Sequence, residues 1–314
     1  SIFLSFILCL CLIACIPQQA MAQKQSRMEK LLRYLNDNDA DKWQKNREKL
    51  DDETKAYYAE DLSLMDVLND LWNGQSEQAA TLYFGCYEKA AQSNFPGICE
   101  GEKIPLSQIR DKADQSIINL LEASKDKIPF SRALLDSIHA TEYPVDSAML
   151  QRLQNIREVA LLEGMLKAPT PIIYQTYVKE YPNGKFIAQV NASENVRLYQ
   201  LVKTAPTPAN FKAFFEDPEM QKYYQDRGPR PYLAEVRTLY DDFLFQRIDS
   251  LKKEGNATAI RQIIDDYKNT PYLSTGARTH LNDLEYLSEK ADFELLKPAI
   301  VNSESLGLLQ EFLK

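Results

Sequence analysis

Glycine is scarce in this chain, at 10 of 314 residues. Doubly wound α/β folds need glycine at their strand–helix turns, and phosphate-cradling loops need it where backbone approaches the ligand. The scarcity therefore favours an all-α fold. A basic excess is missing as well: 37 Lys and Arg face 45 Asp and Glu, for a net charge of −8 and a pI near 5.1. Nucleic acid is not expected as a partner, because phosphate binding needs clustered Lys and Arg. Histidine occurs only as His139 and His280, and neither lies in a recognisable catalytic motif. No stretch of convincing length alternates apolar with polar residues, so strands are not expected.

Hydrophobic runs are confined to the start of the chain. Residues 2–16 are almost wholly apolar, Pro17 breaks the run, and Ala20-Met21-Ala22 before Gln23 has the small-x-small pattern of a cleavage site. The stretch is too short and wrongly flanked to span a membrane, so residues 1–22 read as a secretory signal peptide. Leu12-Ile13-Ala14-Cys15 is similar to a lipobox, which makes lipidation at Cys15 the competing reading and the one expected route to a membrane. Either route implies an envelope location, periplasmic or at the outer membrane. The first residue is Ser, and the chain stops within a helical pattern at Phe312-Leu313-Lys314. It is expected to be a fragment of a longer protein.

What is present is helical punctuation. Thr170 is suited to cap a helix, and Pro171 to occupy its first position, where no amide proton is needed. Tyr174, Tyr177 and Tyr181 are spaced to share one face. Pro182 stops the helix, and Asn183-Gly184 tolerates positive φ. Phe186 then opens a second helix with Ile187, Val190, Leu198 and Leu201 on one side, completing a hairpin of about 35 residues. The pattern returns 37 residues later at Ala205-Pro206-Thr207-Pro208, with Phe211 and Phe214 in the tyrosine positions. At an offset of 86 it returns as Asn256, Ile260, Ile263, Tyr267 and Tyr272, and at 135 as Ser305, Leu309 and Phe312. The long second unit carries an insertion from Pro218 to Pro231.

The Tyr181-Pro182-Asn183-Gly184-Lys185-Phe186 signature after a short aromatic helix resembles the divergent tetratricopeptide-like repeats of bacterial envelope proteins. The resemblance covers roughly residues 150–314. It implies an α-solenoid of stacked hairpins that presents an elongated surface to a protein or peptide. The domain reading is a signal peptide over 1–22, an N-terminal helical domain over 23–130 and repeats over 131–314, with a soft boundary near 130.

Within the N-terminal domain, Met28, Leu31, Leu32 and Leu35 predict a first apolar face. One helix is predicted over 53–72, with Tyr57 inward, and another after Ser76. Residues 94–105 read as a loop, 107–124 as a helix, 127–144 as a short connecting unit and 146–167 as a strong helix. Cys86 and Cys99, 13 apart, predict a disulfide in an oxidising compartment, contributing about 3 kcal/mol in the chain-entropy model.

Several motifs fail on chemistry. Asp37, Asp39, Asp41 and Glu48 have the spacing of a calcium loop, but Lys42 stands where the sharp turn wants glycine. Asp39 reads better as a helix cap. Gly97 to Lys103 lacks the spacing of a phosphate loop and the Ser or Thr after its lysine. Adjacent acids such as Asp51-Asp52, Asp241-Asp242 and Asp265-Asp266 point about 100° apart on a helix, too far for shared acid–base work. Tyr57-Tyr58 and Tyr223-Tyr224 each place a ring off the core face and are candidate contact surfaces. No metal and no cofactor is expected. The reading is a non-catalytic envelope interaction scaffold. Its alternatives are a glycan-binding outer-membrane lipoprotein, or the helical part of an enzyme whose catalytic domain lies beyond Lys314.

Overall fold

The computed structural model describes residues 21–286 and residue 289, apart from 75, 255, 256 and 269. Among the described residues the chain is helical throughout, with no strand. None of these helices is long and apolar enough to cross a membrane. The chain divides into two compact units, one ending at Glu163 and the other beginning at Gly164.

The first unit contains α1 (residues 21–36), α2 (Ala40–Glu48), α3 (Asp52–Tyr57), α4 (Ala59–Trp72), α5 (Glu77–Ala91), α6 (Phe95–Glu102), α7 (Leu106–Ala123), α8 (Lys127–His139) and most of α9 (Ser147–Lys167). Side chains start three of them. Asp39, Asp51 and Ser76 accept from the amides of Lys42, Thr54 and Ala79 at 3.1, 2.7 and 3.2 Å, each satisfying a first-turn donor. α5 lies at the centre and packs on α4, α6, α7 and α8. Its Tyr83, Phe84 and Tyr87 meet Tyr143 edge to face at 5.6, 4.9 and 5.1 Å, the geometry that the ring quadrupoles favour.

Three sequence expectations change here. The single helix over 53–72 is two helices, broken at Tyr58, whose φ of −105° and ψ of 31° leave the helical region. Tyr58 is thereby buried and Tyr57 exposed, the reverse of the predicted inward Tyr57. The loop over 94–105 is α6, which buries Phe95, Ile98 and Cys99 on one face and stops at Lys103 in the left-handed region. The connecting unit over 127–144 is α8, with Phe130, Leu134, Leu135 and Ile138 in the same core as Leu62 and Tyr83. The compact units divide between Glu163 and Gly164, and the soft boundary near 130 is a reading of the sequence.

The expected disulfide is replaced by two free thiols. Cys99 is turned into the core beside Asp61, and burial pushes its thiol up to about 12. Cys86 is half-buried in a different setting, near Lys89, Glu60 and Asp66.

The second unit contains α10 (Pro171–Glu180), α11 (Ile187–Thr204), α12 (Pro208–Glu216), α13 (Pro218–Tyr224), α14 (Leu233–Lys253), α15 (Ala257–Tyr267) and α16 (residues 275–286). Thr170 and Thr207 cap α10 and α12 with nearly the same backbone, φ −130° and ψ 151° against φ −125° and ψ 154°. Their hydroxyls accept from the amides of Ile173 and Asn210 at 3.3 and 3.2 Å. Tyr174 and Tyr177 are buried and Tyr181 is half-buried. The Tyr174 hydroxyl donates to Asn191 Oδ1 at 3.0 Å, and the Tyr177 hydroxyl accepts from the Phe186 amide at 3.1 Å. Each tyrosine thus ties α10 to the helix or turn that follows. Phe186 is half-buried just before α11. In the predicted second copy Phe211 and Phe214 are fully buried. α11 is the hub and packs on α10, α12, α13 and α14, while α14 packs on α15. The predicted insertion from Pro218 carries α13.

Candidate functional site

The site is built around the insertion. Asp217 caps α13, accepting from the Met220 amide at 2.8 Å, and Gln221 Nε2 donates back to the Phe215 carbonyl at 2.8 Å. After α13 the chain reverses through Gly228, whose φ of +99° suits glycine. This reversal turns Arg230 inward. Its Nε donates to Asn195 Oδ1 at 2.7 Å, its Nη1 donates to the Phe214 carbonyl, and its guanidinium carbon sits 3.9 Å above the Phe214 ring centre. Asn195 Nδ2 also donates to the Pro231 carbonyl at 3.2 Å. Tyr232 then adopts a left-handed backbone with φ of 64° and stacks on Tyr199, 4.4 Å between centres and 11° between planes.

Arg230 is 9% exposed, and its Nη2 has no hydrogen-bond partner. Burial pulls its guanidinium below the ordinary value, with Asp217 and Tyr224 acting in the opposite direction. An arginine remains protonated through such a change.

The remaining wall comes from α14 and the segment before α16. Arg237 is half-buried, and its Nε also lacks a partner. Tyr272 stacks flat on Phe215, 4.3 Å apart and 7° from parallel, and its hydroxyl donates to Glu216. Together these residues line a cleft of about 740 Å³, within the range of small-ligand and peptide pockets. Its described lining includes three cations, Lys222, Arg230 and Arg237, and no carboxylate, in a chain of net charge −8. The lining also holds no Ser, Cys or His among the described residues. Such a surface offers donors and positive charge for binding.

A second polar feature lies in the first unit. Asp114 is buried on α7 and accepts from the Tyr143 hydroxyl at 2.5 Å, which is in turn 3.4 Å from the Tyr83 hydroxyl. Burial pushes the Asp114 carboxyl up to about 6, opposed by the Tyr143 bond and by Arg110, and reinforced by Asp111 and Asp146. Asp111, Asp114, Asp146 and Arg152 border a cleft of about 240 Å³.

The predicted repeat residues meet the cationic cleft only in part. Tyr272 lines it, and Phe214 lies against Arg230. Phe211 packs away from it on Tyr240, 5.0 Å between centres. Ile263 is buried, Ile260 and Tyr267 are half-buried, and Tyr267 meets Tyr240 at 5.8 Å. Tyr224 of the predicted contact pair lines the cleft. Asp39 caps α2 and pairs with Lys42 at 2.6 Å, which holds its carboxyl below the usual range. Among the described residues no group of His, Cys, Asp and Glu gathers as a metal site. Cys15, Asn256 and the fourth copy at Ser305, Leu309 and Phe312 lie outside the described residues.

Comparison with protein-family models, with curated proteins and with solved structures returned no match to this chain. Arg230, Arg237 and Lys222 were not singled out in the sequence. The available signal was an arginine between two prolines, Pro229-Arg230-Pro231, directly after a glycine. That arrangement reads as a turn until the reversal places the side chain inside.

Proposed function

We propose that this chain is a non-catalytic protein-interaction scaffold of the bacterial cell envelope, exported by its N-terminal segment and built from tetratricopeptide-like hairpins. The observation that carries the reading is the shared construction of α10 and α12. Two short aromatic helices start with matching threonine caps and following prolines, and both helices pack against α11. A helix of nine or ten residues is too short to be stable alone in water and depends on its neighbour, which is the logic of a repeat array. The cleft on the insertion supplies a recognition surface rich in donors.

Chemical cross-linking and affinity capture with the purified chain in envelope extract test the proposal. The expected result is one or a few specific proteins captured in stoichiometric amount. Capture of none, together with hydrolytic or transfer activity in the purified chain, would refute it.

A further inference from the structure

We infer that the cleft lined by Lys222, Arg230 and Arg237 binds an acidic peptide segment, seating an Asp or Glu side chain beside an apolar neighbour. The inference deepens the scaffold reading and rests on it. Its first support is the sign of the charge. The chain carries eight more acids than bases, yet the described lining carries three cations and no acid. Surface chance would favour the opposite. A one-signed cleft with low-dielectric walls concentrates ligands of the other sign.

The second support is unspent hydrogen bonding. Arg230 is more than nine-tenths buried, and Nη2 is without a partner; Arg237 Nε is in the same condition. No salt bridge to either arginine or to Lys222 is found among the described residues. Buried donors are normally paired, and an unpaired one is costly. Arg230 is moreover locked by Asn195, the Phe214 carbonyl and the Phe214 ring, so its charge is fixed before any ligand arrives. Fixed charge avoids the ordering cost that a free surface arginine carries on binding.

The third support decides between ligand classes. Sugar hydroxyls need acceptors as well as donors; Arg and Lys accept nothing, and the side-chain acceptors in the described lining are confined to the Gln221 and Gln225 amides and the Tyr224 and Tyr272 hydroxyls, with no carboxylate. One aromatic platform of the lining, Tyr272, already has one face covered by Phe215. Pro218, Met220, Leu233 and Pro271 instead offer walls for an aliphatic or aromatic side chain. A carboxylate on an extended peptide, next to such a side chain, matches both parts.

The test uses the purified chain and two end-blocked hexapeptides, Gly-Leu-Phe-Glu-Leu-Gly and its counterpart with Gln for Glu, followed by calorimetry and amide NMR shifts. The Glu peptide is expected to bind at least about tenfold tighter than the Gln peptide, and more weakly as salt rises. Arg237→Glu and Lys222→Glu are each expected to weaken it by about tenfold without altering the helical circular dichroism. Arg230 is left intact, since its loss would unpair Asn195 and disturb the fold. A third, unblocked peptide ending in Phe reports whether a chain-end carboxylate is preferred to a side-chain one. Equal binding of the Glu and Gln peptides, or Glu binding untouched by Arg237→Glu, would overturn the inference. So would saturable binding of a hexuronate oligosaccharide with neither blocked peptide bound. Should the peptides fail while an envelope protein is still captured by Arg237→Glu chain, the scaffold reading survives and the cleft assignment does not.

Discussion

Replacing Asp114 by Asn is expected to stabilise the first unit at neutral pH and to flatten its pH dependence. The Asp114 carboxyl is pushed from 3.8 up to about 6, chiefly by burial. Each tenfold change in proton affinity corresponds to about 1.36 kcal/mol, so the shift corresponds to about 3 kcal/mol. The sign follows from linkage. A carboxyl whose folded value lies above its unfolded value binds its proton more tightly when folded. Its favourable contribution is therefore complete below about 3.8 and is lost as pH rises through about 6. Above that pH the native protein holds a buried carboxylate with the Tyr143 hydroxyl as donor. An asparagine at this position would still accept from Tyr143 and would carry no charge to desolvate.

Urea unfolding followed by circular dichroism, from pH 4 to pH 8, gives the measurement. The wild-type chain is expected to lose stability relative to Asp114→Asn by about 2–3 kcal/mol between pH 4 and pH 7. Tyr143→Phe should move the loss to higher pH, because the Tyr143 bond holds the Asp114 value down. Asp61 is also buried and raised, so some dependence should persist in the Asp114→Asn variant. Parallel curves for wild type and Asp114→Asn across this range would refute the assignment of the buried charge to Asp114.

Four further outcomes follow from particular contacts. Thr170→Ala and Thr207→Ala should each cost about 1 kcal/mol in denaturant unfolding, since each removes a first-turn acceptor. Tyr174→Phe should cost about 1 kcal/mol, because the Tyr174–Asn191 bond is buried. Phe211→Ala should cost about 3–5 kcal/mol by opening a cavity beside Tyr240. In mass-mapped alkylation at pH 8 the half-buried Cys86 should react in the native protein. The buried Cys99, with its thiol pushed up to about 12, should react only after unfolding.

The helices that the sequence spelled out are those with local punctuation. α10 has a threonine cap, a proline at its first position and a proline after its end, and each signal acts within a turn of its own residue. α6 hid because its glycines, Gly97 and Gly101, lie inside the helix, while its stop is Lys103 in a left-handed backbone where glycine is usual. Tertiary packing supplies what local preference withholds: Arg33 of α1 makes a two-pronged bond to Glu102 at 2.7 and 2.6 Å, holding the end of α6. α8 hid behind Pro129, which reads as a breaker but falls in the first turn, where a proline is tolerated.

The cleft was illegible for a related reason. Its buried arginine is separated from its partners by long stretches of chain. Arg230 depends on Asn195, 35 residues earlier, and on Phe214, and neither dependence leaves a mark in residue spacing. Composition obscured it further, because an acidic average conceals a local cluster of the other sign. The fold-determining signals are local and periodic, whereas the binding signal exists only once a glycine reversal has turned Arg230 inward. A construction that fixes a buried cation with two hydrogen bonds and a ring face, yet leaves one of its donors unpaired, is expensive for stability alone. That excess cost is the physical reason for reading the cleft as a binding site and Arg230 as its preset charge.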